Sequence, residues 1–574
     1  MSQPDWIVLI TTLLVIILYG LYRSRTSKNL EGYFLSNRSL PWWLVLLSIM
    51  GTQASAITFL SAPGQAYTDG MRFVQYYFGL PIAMVILCIT FVPLFHKIKV
   101  FTAYEFLEQR FDLKTRTFTS SLFLLSRGLS TGLSIYAPSI ILSSLLGWDI
   151  FWTNIVMGGL LIIYTMTGGA KAVAYTQQLQ LVIIFAGLFV AGYLIVHYLP
   201  EGVGFTDALK VSGAAGKMNV ITTGMTEKGF DWKDKYNIVS GVIGGFFLAL
   251  SYFGTDQSQV GRYLTSKNDK ESRLGLLMNG LVKVPMQFLI LLLGAMLFTF
   301  YQFNKAPVFF NQAVADQAMQ TPYRDSLRRI EQKFDEQQIV QQRISKQYAI
   351  EKHEVYKDSL RQGAARMSAI QQQYQSVLKK ALPAADTSDT NYIFLRFVID
   401  FLPKGLVGLL IAIIFLAAWG SIAAALNSLA SCTMIDFHLR LRGLQYDGKD
   451  EEQCLKDYKV SRYYTLGWGI FCIITAEFAT GMGSLIEAVN VLGSLFYGVI
   501  LGIFLVAFYF KKIGSAAVFR AAILGELIVI ACFFLDKYNI IGLGFLWLNV
   551  VGAVAVVVLG LLLQPFFKKT LPAT

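Results

Sequence analysis

Three polar stretches interrupt long apolar runs in this chain, and their residue types suit ion and solute binding better than bond-making chemistry. The first holds Ser48, Gly51, Thr52, Gln53, Ser55, Thr58, Ser61, Pro63 and Gly64. The second runs through Gly244, Gly245 and Ser251-Tyr252-Phe253-Gly254-Thr255-Asp256-Gln257-Ser258-Gln259. The third is Ala417-Ala418-Trp419-Gly420-Ser421-Ile422-Ala423-Ala424-Ala425-Leu426-Asn427-Ser428. Within lipid, polar side chains and loose backbone persist only where they line a cavity or a helix interface. A hard monovalent cation is held by several close oxygens. The Ser421 hydroxyl, with carbonyls of its own helix and of a break near Gly51–Ala54, supplies that kind of set, and a set without a carboxylate suits Na+ better than a divalent ion. Taken alone, Ser421 reads first as a hydroxyl bonded to its own helix. Small-residue helix packing is the competing reading of the first stretch, but Gln53 is too large and polar for packing alone. No nucleophile–base pair stands out. The five cysteines lack C-x-x-C spacing and the four histidines are scattered, so neither a zinc site nor a disulfide framework is expected.

The elements that position these stretches are membrane spans. Of 574 residues, 55% are hydrophobic and 15% charged, against about 25% charged in a soluble domain. A soluble enzyme, a secreted disulfide scaffold and a disordered regulator are excluded. A span needs roughly 20 apolar residues. Segments 5–22, 42–67, 73–95, 117–146, 150–168, 174–199, 237–255, 274–303, 395–437, 463–480, 486–510, 516–535 and 541–566 qualify, which makes thirteen. Pro403 is expected to split a short lead-in helix from the span beyond it. The first run has Asp5 before it and Arg23, Arg25 and Lys28 after it, the reverse of a cleavable signal, so it reads as a retained helix.

With the N-terminus outside and the C-terminus inside, the inner loops hold 25 Lys and Arg, while the short outer loops hold only Arg72 and Lys537. That asymmetry sets orientation, and it shows the +13 net charge to be topology rather than a nucleic-acid signal. The polar interruptions of spans two and seven are helices one and six once the first helix is set aside. Five spans from 42 to 199 and five from 237 to 510 then form two halves, as inverted repeats with a site between discontinuous helices require. The chain divides into an N-terminal helix and loop (1–41), the first five-helix repeat (42–199), an outer loop (200–236), the start of the second repeat (237–303), a helical insert (304–394), the rest of that repeat (395–510) and two further helices (511–574).

The insert carries 13 basic and 10 acidic residues. Leu327, Ile330, Phe334, Gln341, Ile344, Tyr348 and Val355 recur at helical steps, and Met367, Ile370, Tyr374 and Val377 continue them. A helical hairpin, turning at Gly363, or one long bent helix is expected. It reads as a solvated accessory domain or as a docking module for an extracytoplasmic partner. Arg127 and Lys283, within spans, are expected in structural pairs or at an interface rather than on solute. Glu477, Glu487 and Glu526 are read as near helix ends, where they can snorkel.

Several motifs in order resemble the sodium/solute symporter family, across nearly all spans but not the insert. Phe101-Thr102-Ala103-Tyr104-Glu105-Phe106-Leu107-Glu108-Gln109-Arg110-Phe111 resembles its loop after helix two. Tyr164-Thr165-Met166-Thr167-Gly168-Gly169-Ala170-Lys171-Ala172-Val173 resembles the turn before helix five. Asp256-Gln257 with Gln259, Val260, Arg262 and Tyr263 resembles the end of helix six. The first two look most like the branch holding the iodide, multivitamin and monocarboxylate symporters. The resemblance implies an all-α membrane fold with a LeuT-like 5+5 core and a Na+-driven importer of a small organic solute, working by alternating access in the plasma membrane (the inner membrane in a Gram-negative cell).

It further implies a sodium site of Gly51, Ala54, Ala417, Gly420 and Ser421. Gly420 falls on a hydroxyl position and lacks the oxygen. Members with a second sodium carry an acidic residue in helix five, where this chain has Gln177. One Na+ per solute is therefore expected. The matching solute cavity is lined by Gln53, Thr58, Tyr252, Phe253 and Asn490. Core packing is the competing reading for Tyr252 and Phe253, and a hydrogen bond to helix one for Asn490. No nucleotide-binding loop suggests a pump. A transporter-like sensor signalling through a partner is the alternative function.

Overall fold

The computed structural model describes residues 2–23, 29–351, 354–383, 385–444, 450–479 and 482–567. Arg25 and Lys28, cited above, lie outside that set. Apart from a two-residue hairpin, β1 (Met225–Thr226) against β2 (Gly229–Phe230), the described elements are helical.

The first half begins with α1 (Gln3–Arg23) and a short buried α2 (Leu30–Leu35). The next span is broken into α3 (Trp42–Gln53) and α4 (Ala56–Asp69), bent by 60°. The break lies at Ala54 and Ser55, whose non-helical backbone stops the helix. Pro63, expected to help break the span, sits inside α4 instead, and its carbonyl is so close to Gly294 that a Cβ there would lie 2.1 Å away. After a 3-10 turn over Met71–Tyr77 come α5 (Leu80–Ile89), α6 (Phe91–Ile98), α7 (Glu105–Arg110) and α8 (Leu113–Leu146). Spans expected at 150–168 and 174–199 run on through α9 (Ile150–His197), parted only at Gly169, whose φ of 58° a side chain would resist.

The second half follows α10 (Phe205–Ala214). Its first span, a π-helical turn at Ser240–Gly244 leading into α11 (Gly245–Thr255), breaks at Asp256 before α12 (Gln257–Tyr263). Gly244 and Gly245, expected in the interruption, are instead close-packing positions against Leu546 and the Tyr76 carbonyl. Next come α13 (Asp269–Phe303), α14 (Gln312–Ala318), α15 (Arg324–Glu351) and α16 (Glu354–Ala381). The insert is thus two packed helices. Gly363 is not its turn: it lies within α16, where a Cβ would strike the Gln341 side chain at 1.8 Å. Leu327, Phe334, Gln341, Met367 and Tyr374 are buried as the periodicity requires, whereas Val355 is exposed. Pro403 separates α17 (Ile393–Phe401) from α18 (Leu406–Cys432), which runs on as a π-helical turn to Leu439. The rest is α19 (Glu451–Glu477), α20 (Leu485–Tyr509), α21 (Ser515–Lys537) and α22 (Leu546–Leu563).

Among the described residues, eight helices are long and apolar enough to cross a membrane, and the bent α3–α4 pair makes a ninth. Ile150–Met166 and Ser240–Thr255 are shorter apolar helices. This is a multi-pass membrane protein. α18 lies at the centre: every residue from Leu410 to Cys432 is buried, packed by α9, α1, α8 and α3. Exposed apolar residues such as Ile7, Leu18 and Phe189 lie on helices long and apolar enough to cross a membrane, on faces suited to lipid.

Candidate functional site

α3 ends and α18 passes at the same level, and Gln177 of α9 fills the space between them. Its Nε2 donates to the Gly420 carbonyl (3.1 Å) and to Thr52 Oγ1 (3.2 Å). Its Oε1 accepts from Ser48 Oγ (2.9 Å). Two glutamines of α9 crowd the expected glycines. A Cβ on Gly51 would lie 2.9 Å from Gln177, and one on Gly420 would lie 2.5 Å from Gln180 Oε1. A side chain at position 420 would require the Gln180 amide to move aside.

Of the expected ion ligands, Gly51 and Gly420 meet around Gln177. Ala54 caps α3, its N–H donating to the Met50 carbonyl (2.7 Å). The Ser421 hydroxyl donates to the Ala417 and Ala418 carbonyls (3.1 Å each), one turn back on its own helix. That is the arrangement a lone helical serine adopts.

The expected solute residues come together more completely. Gln53, Thr58, Tyr252, Phe253 and Asn490 all line one narrow cavity of about 100 Å³ between the two broken helices. The Gln53 Oε1 is buried with no hydrogen-bond partner among the described residues, an acceptor that a bound donor would satisfy. Tyr252 is held edge-on to Phe253 (ring centroids 5.0 Å apart), and its hydroxyl accepts from Gln259 Nε2 (2.7 Å). Phe253 is fully buried, so its packing role and its place in the wall coexist. Asn490 Oδ1 accepts from Tyr76 Oη (3.0 Å), in the 3-10 turn ahead of α5 rather than in helix one.

Three wall tyrosines, Tyr76, Tyr77 and Tyr497, were not among the sequence candidates. The adjacent Tyr76-Tyr77, two phenols opening an apolar run, was the available signal. Arg127 also reaches the wall. It forms the expected structural pair, with Asp256 at the second break: Nε donates to Oδ2 at 3.1 Å. Tyr497 Oη donates to the same oxygen (2.8 Å), and Asp256 Oδ1 caps α12 by accepting from the Ser258 N–H (2.8 Å). One carboxylate thus ties α8, α12 and α20 beneath the cavity.

Lys283 does not form the expected pair. It is fully buried on α13, with no hydrogen-bond partner among the described residues and its Nζ 5.5 Å from the Tyr77 ring centre. Glu487 pairs with Lys235 at a helix start, but Glu526 lies mid-helix in α21, buried, with both oxygens unpartnered among the described residues.

Charge networks close both ends of the bundle. Opposite the hairpin, Arg116 bridges Glu108 (2.8 Å) and Asp436 (2.7 Å), and Arg440 pairs with Glu108. Burial alone would push the Glu108 carboxyl up, but its bonds to Arg440 and Arg116 hold it below the ordinary carboxylate range. On the hairpin side, Arg72 bridges Asp69 (2.9 Å) and Asp234 (2.8 Å).

Comparison with known proteins places this geometry in context. A sequence model described as the sodium:solute symporter family matches residues 33–322 and 367–525, leaving out the middle of the inserted hairpin. The sodium/sialic acid symporter of Proteus mirabilis (strain HI4320) is 25% identical over 98% of this chain and 95% of its own. The human sodium/iodide cotransporter is 30% identical over 44% of this chain and 38% of its own length. A solved structure of a Na+-coupled sialic acid symporter, in a substrate-bound outward-open state, superposes with a TM-score of 0.75 at 24% identity and full coverage of both chains. The fold is the same.

Proposed function

This chain belongs to the sodium:solute symporter family, and from that premise we propose that it imports a small organic solute with one Na+ per transport cycle, through the cavity between its two broken helices. Its relatives are transporters rather than enzymes, and Na+ is the ion they move. The single observation that carries the reading is the convergence of Gln53, Thr58, Tyr252, Phe253 and Asn490 on one cavity wall.

In this reading Na+ binds between the α3 break and α18, taking carbonyls of Gly51, Ala54 and Ala417 and the Ser421 hydroxyl. Rotation of that hydroxyl frees the Ala417 oxygen it now bonds. The Gly420 carbonyl stays with Gln177. The ion joins the broken helix to α18 and so favours the state that accepts solute; its release on the other side loosens that joint. Coupling is this difference in affinity between states. Each Na+ moving down a 100 mV potential supplies about 2.3 kcal/mol. A single ion is supported by Gln177, because its N–H groups face the oxygens that a second cation would need.

The cavity of about 100 Å³ is contracted, so solute entry requires side chains of the wall, Tyr252 first among them, to move. Thirteen spans fit the helices if α8, α19 and the two shorter apolar helices also cross, with the hairpin outside, the C-terminus inside and the protein in the plasma membrane, or the inner membrane of a Gram-negative cell. Sialic acid heads the solute panel, because relatives matched along nearly the whole chain are named for it. The test is uptake into proteoliposomes under an imposed Na+ gradient. Concentrative uptake of a panel member is expected. A sensor would bind solute without Na+-driven accumulation, and that result would overturn the proposal.

A further inference from the structure

The inserted hairpin does more than cover the bundle. Between α16 and the hairpin-side end of α4 lies a second cleft, separate from the solute cavity, of about 440 Å³. Small-molecule sites fall at roughly 300–1,000 Å³. On α16 the residues facing it are Ser368, Gln371, Gln372 and Gln375, one stripe by helical spacing. The neighbouring stripe, including Met367, Tyr374 and Leu378, is buried in the hairpin's own packing. α16 therefore spends one face on folding and presents an amide-rich face to the cleft.

The floor is aromatic and held in place. Tyr67 and Phe310 meet edge to face with centroids 5.6 Å apart, and Tyr67 is braced by Phe298 (5.5 Å) and Tyr301 (6.1 Å). Residues 387–390 form the far wall. Among the described residues of the lining the one charged group is Asp389, whose Oδ2 is engaged by the Phe310 N–H (2.9 Å).

This chemistry selects its ligand. An anion needs cations or free N–H groups, and among the described residues the lining has no Lys, Arg or His. A metal needs several carboxylates, and an apolar ligand needs an apolar lining. Amides and hydroxyls each both donate and accept, which matches a ligand whose surface alternates donors and acceptors. Aromatic rings beneath match its C–H faces. We propose that this cleft binds a neutral saccharide of one or two rings.

The far wall gives such binding a consequence. Thr390 lies so close over Gly64 of α4 that a Cβ there would be 1.9 Å from its carbonyl oxygen. Next to it, Asn391 Oδ1 accepts from Ser61 Oγ of α4 (2.7 Å), while its Nδ2 donates to the Gly483 carbonyl ahead of α20 (2.9 Å). A ligand in the cleft therefore presses on the loop that latches the outer half of the broken helix to α20, and it biases the conformation in which that latch is closed.

The test is equilibrium binding of glucose, maltose and sucrose to the full-length protein in nanodiscs, followed by saturation-transfer NMR. Gluconate serves as the anionic control. At least one neutral sugar is expected to bind, with gluconate weaker. Gln371→Ala/Gln375→Ala is expected to weaken that sugar by about tenfold, and Gln372→Trp, which fills the cleft, to abolish binding. Gln53→Ala, in the solute cavity, is expected to leave it unchanged. No binding by any of the three sugars overturns the proposal. So does unchanged binding in the α16 variants, loss of binding in Gln53→Ala, or gluconate binding as tightly as glucose. Because Gln53→Ala addresses only the solute cavity, failure here and failure of the transport reading are distinguishable.

Discussion

The Gln177 amide nitrogen donates to the Gly420 carbonyl at 3.1 Å, across the space where α3 breaks and α18 passes. The same amide bonds Thr52 and Ser48, so one neutral side chain holds oxygens that would otherwise face each other unpaired. Replacing it by Leu strands the buried Ser48 hydroxyl, at about 1–3 kcal/mol, and leaves the Thr52 hydroxyl only its bond to the Ser48 carbonyl (2.8 Å). Gln177→Leu is expected to lower the thermal midpoint of the purified protein clearly below wild type. The ratio of 22Na+ to solute taken up by the wild-type protein is expected to be one, and a ratio of two would refute the role given to Gln177.

Ser421 offers a cleaner separation of folding from ion binding. Its hydroxyl bonds only carbonyls of its own helix, which already serve the helical ladder. Ser421→Ala is therefore expected to keep its thermal midpoint in Na+-free buffer while losing about tenfold in apparent Na+ affinity for uptake. Full Na+-driven uptake in this variant would remove Ser421 from the ion site.

Arg127 and Asp256 form a buried pair, and removing one partner of such a pair costs about 3–5 kcal/mol. Arg127→Ala leaves the Asp256 carboxylate, 1% exposed, with Tyr497 and Ser258 alone. A steep drop in thermal midpoint is expected. Adding Asp256→Asn should recover part of it by removing the stranded charge. Equal stability of the single and double variants would show that the charge is not what destabilises.

At Tyr252, in the cavity wall, ring and hydroxyl can be tested apart. Tyr252→Phe removes the bond to Gln259 (2.7 Å) but keeps the ring against Phe253. Tyr252→Ala removes both. The Phe variant is expected to retain most uptake. The Ala variant is expected to leak preloaded solute faster, measured as efflux from proteoliposomes without Na+.

Asp389 sets a pH dependence in the hairpin-side loop. Burial, partly offset by the Phe310 N–H, pushes its carboxyl up to about 6. An unfolded Asp titrates near 3.9, so the folded state binds the proton more tightly. This group's stabilisation is complete below about pH 4 and is lost as pH rises through about 6. Asp389→Asn, neutral throughout, is expected to remove that slope and to raise the thermal midpoint at pH 7.5 relative to wild type. An unchanged pH profile between pH 4 and 7 would show that Asp389 does not contribute.

Composition, span length and charge asymmetry by themselves determined that this chain is a multi-pass helical membrane protein, because lipid demands long apolar runs and leaves polar ones conspicuous. The same logic exposed the polar stretches around Gln53 and Tyr252, and motif order pointed to the family. The first break was legible to within a residue: expected near Gly51–Ala54, it lies at Ala54 and Ser55. What the neighbouring glycines and proline do was not: α4 runs on through Pro63, whose carbonyl lies against Gly294, and Gly244 and Gly245 allow close packing against Leu546 and the Tyr76 carbonyl. Gly363 misled in the same way. The partners of buried polar groups were equally hidden: Gln177 with Gly420, Arg127 with Asp256, and Tyr76 with Asn490 are separated by 243, 129 and 414 residues. Periodicity reports which face of a helix is buried, but which helix lies against it is settled only when all of them pack at once.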